Sequence, residues 1–260
     1  MISRRRFLEV STVAAGMAAS RSVATAAAAE HADASLPPSL AKLKSRKNEP
    51  TPITREERQS RQERARQLMR ENSLDAILLM EGTSLRYFTG IRWWGGERTF
   101  ALILPAKGAP LYLCPAFEEG RAREQIANAP DGEQPDVRIW QEDESPYQRI
   151  AQGLKDRGIA SGKLGLEETV RFVFADGIAK ATSQSAPQAT MASATPVTAG
   201  CRMIKSAHEI ALMRLAAQVT LAAYQAAYLA VKDGMTQPQL EELVKLSLIH
   251  ISEPTRQAEI

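Results

Sequence analysis

From Thr54 onward the chain switches between two hydrophobic rhythms, and the switches mark its elements. Thr54 followed by Glu57 is a capping box that opens a charged helix over about 55–72. The apolar run Ala76–Met80 is too short for a helix and reads as a buried strand. Residues 99–104 and 110–114 read as the next strands, with a turn carrying Lys107 and Gly108 before the second. A helix over about 117–127 stops at Pro130, Asp131 and Gly132. A strand at 137–140, a helix at 146–157 and a strand at 164–167 follow. Strands alternating with helices of this length predict an α/β domain with a mixed or mostly parallel sheet over roughly 53–185.

The flanking regions have other textures. Residues 29–52 are polar, contain Pro37, Pro38, Pro50 and Pro52, and read as a linker. From about 186 to 200 small residues, Pro and Thr dominate, and this stretch reads as a second linker at a domain boundary. Ser206 and Glu209 then form another capping box, before a helix reaching about Lys232. Its apolar stripe is Ile210, Met213, Ala217, Leu221 and Tyr224. Gly234 stops it, and Thr236 with Gln239 opens a third helix. No repeat at solenoid spacing is present.

Residues 1–28 carry four arginines against Glu9, so the whole net charge of +3 lies there. The remainder is neutral, which argues against a nucleic-acid partner. Ser3–Leu8, a weakly apolar run to Ala19 and the small residues Val23–Ala29 have the layout of a cleaved export signal. The run is too short to span a bilayer stably. It resembles a twin-arginine signal, departing in having Glu9 where lysine is usual. The resemblance implies engagement of the twin-arginine translocase of a bacterium, cleavage near Ala26–Ala29 and a periplasmic or secreted location.

Catalytic groups are sparse. His31, His208 and His250 are scattered, and no pair sits one helical turn apart. There is no nucleophile elbow, phosphate loop or dinucleotide fingerprint. Glu142, Asp143 and Glu144 read as a solvated loop. Cys114 and Cys201 read as buried small residues, with a disulfide left open.

Two segments carry a family resemblance. Ser84-Leu-Arg-Tyr-Phe-Thr-Gly90, continuing through Ile91, Arg92, Trp93 and Trp94, is similar to a motif of creatinase, prolidase and aminopeptidase P amino-terminal domains. Arg202-Met-Ile-Lys-Ser206, running through Glu209 and Ile210 to Met213 and Arg214, resembles the opening of their catalytic domain. The resemblance spans about 53–245. It implies a creatinase-type amino-terminal domain over 53–185, with a mixed sheet flanked by helices. The first helices of a truncated α+β pita-bread domain would follow over 201–245.

In that family two Asp, one His and two Glu hold two divalent metals (Mn, Co or Zn), which activate a water for peptide hydrolysis. All five ligands lie beyond the opening helices, so neither metal ligands nor catalytic residues are expected in this chain. The family also implies a homodimer and a proline-containing peptide substrate for the full-length protein. The loop with Trp93, Trp94 and Arg98 would help select it, through an indole face and a carboxylate-binding guanidinium. The competing reading of the two tryptophans is packing in the core or dimer interface. Rival functions are a creatinase-like hydrolase of a small non-peptide substrate, and a non-enzymatic dimerisation or binding domain. Finally, Leu246–Arg256 resembles a translated sequencing adapter, so residues 246–260 are expected to be a non-biological tail.

Overall fold

The computed structural model describes residues 36–94 and 96–252. The expected export signal therefore lies outside the described residues, as does the tail beyond Ser252. The chain divides into two compact units, Thr51–Ala211 and Met1–Pro50 with Leu212–Ile260.

The first unit begins with α2 (Arg55–Glu71), after the four-residue α1 (Pro38–Ala41) of the other unit. The capping box of α2 is complete. The Thr54 hydroxyl accepts from the Glu57 N–H at 3.2 Å, and Glu57 Oε2 accepts from the Thr54 N–H at 2.8 Å. Then come β1 (Ala76–Leu79), α3 (Thr83–Thr89), β2 (Ala101–Pro105) and β3 (Leu111–Pro115). A 3-10 turn at Ala116–Glu118 leads into α4 (Glu119–Ile126), followed by β4 (Asp136–Trp140) and α5 (Pro146–Asp156). The unit is completed by β5 (Lys163–Leu166), α6 (Phe172–Ser185), β6 (Thr190–Ser193), α7 (Thr195–Met203) and the start of α8 (Ala207–Tyr228).

The six strands form one sheet in the order β4-β3-β2-β1-β5-β6. Only β2 runs against its neighbours, which is the expected mixed sheet. Strand periodicity sorts the core into two layers. Ile77 and Leu79 of β1 join Leu102 and Leu104 of β2 on the face covered by α2, α3, α4 and α7. Ala76 and Leu78 join Ala101 and Ile103 on the face covered by α5 and α6. Every residue of β1, β2 and β3 is buried, which explains why these strands read as apolar runs and not as alternations. Gly153 lets α5 approach closely, since a Cβ there would lie 2.3 Å from a Leu111 methyl.

Two expectations need correction. Residues 186–200 are not a bare linker. They supply β6, an edge strand paired with β5, and most of α7, whose Val197 and Cys201 sit in the core beside Ala194. The small side chains that suggested a flexible connection are what let this helix lie close to α2; a Cβ on Gly200 would touch Leu68 at 3.0 Å. Likewise, residues 29–52 include α1, whose Leu40 is fully buried.

In the second unit, Leu40 packs with Ala226, Ala227 and Ala230 near the end of α8 and with Leu243 of α9 (Gln237–Ser252). The Ser39 hydroxyl donates to the Ala226 carbonyl at 2.8 Å. Helix α8 ends at Tyr228, a turn before the expected Lys232, and Gly234 takes the left-handed φ of +84° in the turn that follows. The Thr236 cap is one-sided: Gln239 Oε1 accepts from the Thr236 N–H at 2.9 Å. Residues 246–252, expected to be foreign to the gene, continue α9. Among the described residues no helix is long and apolar enough to cross a membrane.

Candidate functional site

The Ser84–Trp94 motif is a helix and its exit. Helix α3 ends on Gly90, whose φ of +85° is left-handed and whose N–H donates to the Arg86 carbonyl at 2.8 Å. A Cβ at Gly90 would also lie 2.8 Å from the Arg58 guanidinium. Thr89 reinforces the turn, donating to the Leu85 carbonyl at 2.6 Å and accepting from the Ile91 N–H at 3.0 Å. The next four residues alternate in and out: Ile91 and Trp93 are buried, Arg92 and Trp94 exposed.

This alternation separates the two tryptophans. Trp93 is a core residue, 5% exposed, stacked on Phe100 with centroids 4.1 Å apart and covered by the Arg121 guanidinium at 4.2 Å. Trp94 is 78% exposed. The third candidate, Arg98, is engaged elsewhere, holding Glu142 with bonds of 2.7 and 3.1 Å. That carboxylate is exposed, and the guanidinium beside it holds its pKa below the usual range. The 142–144 loop is thus tied down by arginines, since Glu144 pairs with Arg149.

The structure brings Trp93 and Trp94 together with Arg86 and Arg92 around a groove of about 290 Å³ beside Gly82 and Thr83. Neither guanidinium has a hydrogen-bond or ion-pair partner among the described residues. Sequence reasoning missed both arginines. Their signal was present in the motif, where two cations flank the helix exit and its apolar turn.

The second family segment is joined to the first. Tyr87 donates its hydroxyl proton to the Cys201 carbonyl at 3.0 Å, and Arg61 lies 4.0 Å from its ring centroid. Arg61 also donates to the Tyr87 carbonyl at 2.9 Å and pairs with Glu209 at 2.7 Å. Glu209 in turn completes the α8 capping box, accepting from the Ser206 N–H at 2.8 Å. His208 is half-buried and pairs through Nδ1 with Glu57 Oε1 at 2.7 Å. Its hydrogen bond to that carboxylate raises the imidazole pKa above 6.5, and the Glu57 pKa is lowered.

Cys114 and Cys201 are both buried free thiols, with pKa values pushed up to about 11 by burial. Among the described residues no three His, Cys, Asp or Glu side chains gather as a metal site. The donor set that the resemblance implies for the family is not formed by these residues.

The creatinase/prolidase N-terminal domain model matches residues 61–204, and the chain belongs to that family. An uncharacterized peptidase of Schizosaccharomyces pombe is 30% identical over 225 residues, covering 82% of this chain and 47% of its own length. An ectoine hydrolase of Halomonas elongata is 25% identical over 192 residues, with 73% of this chain and 48% of its own length covered. The crystal structure of dipeptidase PepE from Mycobacterium ulcerans shares the fold, with a TM-score of 0.67 and 23% identity over 76% of this chain and 51% of that one. The chain thus spans about half the length of the curated relatives it matches.

Proposed function

We propose that this chain supplies the amino-terminal domain, and the first catalytic-domain helices, of a periplasmic or secreted Xaa-Pro dipeptidase or aminopeptidase-like metallopeptidase. The observation that carries this reading is the family match, which ends at Ile204, immediately before the Lys205-Ser206 entry into α8. The 225-residue likeness to a peptidase is too long to avoid that entry, so both family segments fall inside it. The stripe on α8 fits a helix that other parts of such a protein would cover: Met213, Leu221 and Tyr224 are exposed.

In this reading the exposed Trp94, with Arg86 and Arg92, forms the substrate-selecting wall contributed by the amino-terminal domain, and Arg98 braces the neighbouring loop. The two divalent metals belong to residues other than those described, the protein works as a homodimer, and residues 1–28 direct twin-arginine export. The test is expression of the whole open reading frame from its native locus. We expect cleavage of Xaa-Pro dipeptides that a chelator abolishes and Mn²⁺ restores, and a mature N-terminus near Ala26–Ala29. Failure to cleave any Xaa-Pro peptide, in a folded and metal-loaded protein, would overturn the peptidase reading.

The likeness to an ectoine hydrolase favours a second reading, in which the same fold hydrolyses a small non-peptide substrate. Hydrolysis of such a compound without any action on dipeptides would select it.

A further inference from the structure

The sheet order reverses between β1 and β5. From β1 the chain moves outward through β2, β3 and β4, then returns to place β5 on the other side of β1. The carboxyl ends of neighbouring parallel strands at such a reversal leave a crevice, the usual place for a ligand in an open α/β sheet. Here the crevice is a cavity of about 430 Å³, within the range of small-molecule sites. It is a neighbour of the Trp94 groove, sharing only Gly82 and Thr83 with it.

Three polar groups in its lining are incompletely engaged. Ser84 is 3% exposed, and its hydroxyl oxygen is buried without a hydrogen bond. It stands beside the Glu167 carboxylate and favours the ionised form, but the geometry falls short of a bond. Glu167 forms no ion pair among the described residues; burial raises its pKa, against the pull of the Ser84 hydroxyl and the Arg202 charge beside it. Arg202 is near enough to act on that charge, yet it too has no bonded partner among the described residues. By contrast Arg171 is already committed to Glu81 and to the Gly96 carbonyl. The remaining wall is apolar, formed by Phe174, Val170 and Met80.

Buried polar groups are ordinarily satisfied, so the Ser84 hydroxyl, lining one cavity with a carboxylate and a guanidinium that form no ion pair, calls for a bound group. A monoanion would satisfy Arg202 and confront Glu167; a monocation would do the reverse. We propose that this crevice binds a free α-amino acid with an apolar side chain. Its carboxylate pairs with Arg202 and accepts from Ser84, its ammonium donates to Glu167, and its side chain lies on Phe174 and Val170. The proposal does not depend on the catalytic reading, because it concerns a different cavity and is read by binding alone.

Isothermal titration of the 260-residue chain near pH 7 tests it, using L-leucine, 4-methylpentanoate, which lacks the ammonium, and 3-methylbutylamine, which lacks the carboxylate. L-Leucine should bind, and each stripped analogue should bind roughly tenfold more weakly or worse. Arg202→Gln should lower leucine affinity by a similar factor, and Ser84→Ala by severalfold, while Trp94→Ala leaves it unchanged. Should Arg202→Gln fail to fold, Glu167→Gln serves in its place and should erase the preference for leucine over 4-methylpentanoate. The proposal is overturned if leucine gives no binding at millimolar concentration, if 4-methylpentanoate binds as well as leucine, or if the folded variants retain wild-type affinity and selectivity.

Discussion

Along the sheet, the buried side chains are mostly Leu, Ile, Phe, Tyr and Trp, contributed by strands and helices from Ala65 to Cys201. Among α1, α8, α9 and the turn after α8 they are Leu40, Leu243, Ile251, Ser247 and the alanines 223, 226, 227 and 230. At about 0.8 kcal/mol for each buried methylene, an alanine contributes a small part of what a leucine or phenylalanine does. The two units therefore differ in how much each holds itself together, and the helical one should open first.

The largest effect should come from Phe88→Ala. This fully buried ring belongs to the sheet unit, and its removal should cost about 3–5 kcal/mol. All three tryptophans, Trp93, Trp94 and Trp140, lie in that unit, so denaturant unfolding followed by their fluorescence reads it selectively. Leu243→Ala should lower the denaturant concentration at which helical signal is lost, while moving the tryptophan transition by no more than about 0.5 kcal/mol. If Leu243→Ala shifts that transition as far as Phe88→Ala does, the contrast between the units dissolves.

A smaller loss, about 1–3 kcal/mol, is expected for Gly90→Ala, which forces a side chain into the left-handed region and against Arg58. The same fluorescence transition measures it, and an unchanged midpoint would show that the helix exit relaxes freely.

The smallest effect concerns the start of α8. The His208 pKa is raised by its pairing with Glu57, so that contribution is fully present below 6.5 and is lost as pH rises through the folded-state value. The Glu57 pKa is lowered, so its contribution is present above 4.5 and is lost as pH falls through its own folded-state value. Hydrogen exchange of residues 207–211 should consequently be slowest between these limits and quicken on both sides, after correction for the intrinsic rate. His208→Gln should remove the alkaline limb, and an unchanged profile in that variant would disprove the assignment.

How legible this was depended on the kind of packing. β1, β2 and β3 are buried on both faces and announce themselves as apolar runs, and the caps at Thr54 and Ser206 are local chemistry between residues three apart. α3 escaped because it has only seven residues and no side-chain cap. α6 likewise lacks a capping bond, and it carries Gly177 mid-helix where the Tyr147 ring lies against the backbone, a reason invisible from composition. α7 was hidden by the small residues that suit close packing and flexible linkers equally. In the candidate site, burial alternates from Ile91 to Trp94 and so separates the two tryptophans, but nothing in their own residue types says which one faces inward. The pairs Arg98–Glu142 and His208–Glu57 join residues 44 and 151 positions apart, a separation that no local pattern encodes.

The two oxygens of Glu57 serve different ends of the chain, one closing the first turn of α2 and the other seating His208. Evolution cannot adjust these duties separately. A shorter aspartate at this position would have to release one of them, and a glutamine would keep the turn while surrendering the charge that the imidazole needs. Positions 54, 57 and 208 should accordingly drift as a trio across related sequences, with exchanges at one accompanied by exchanges at the others.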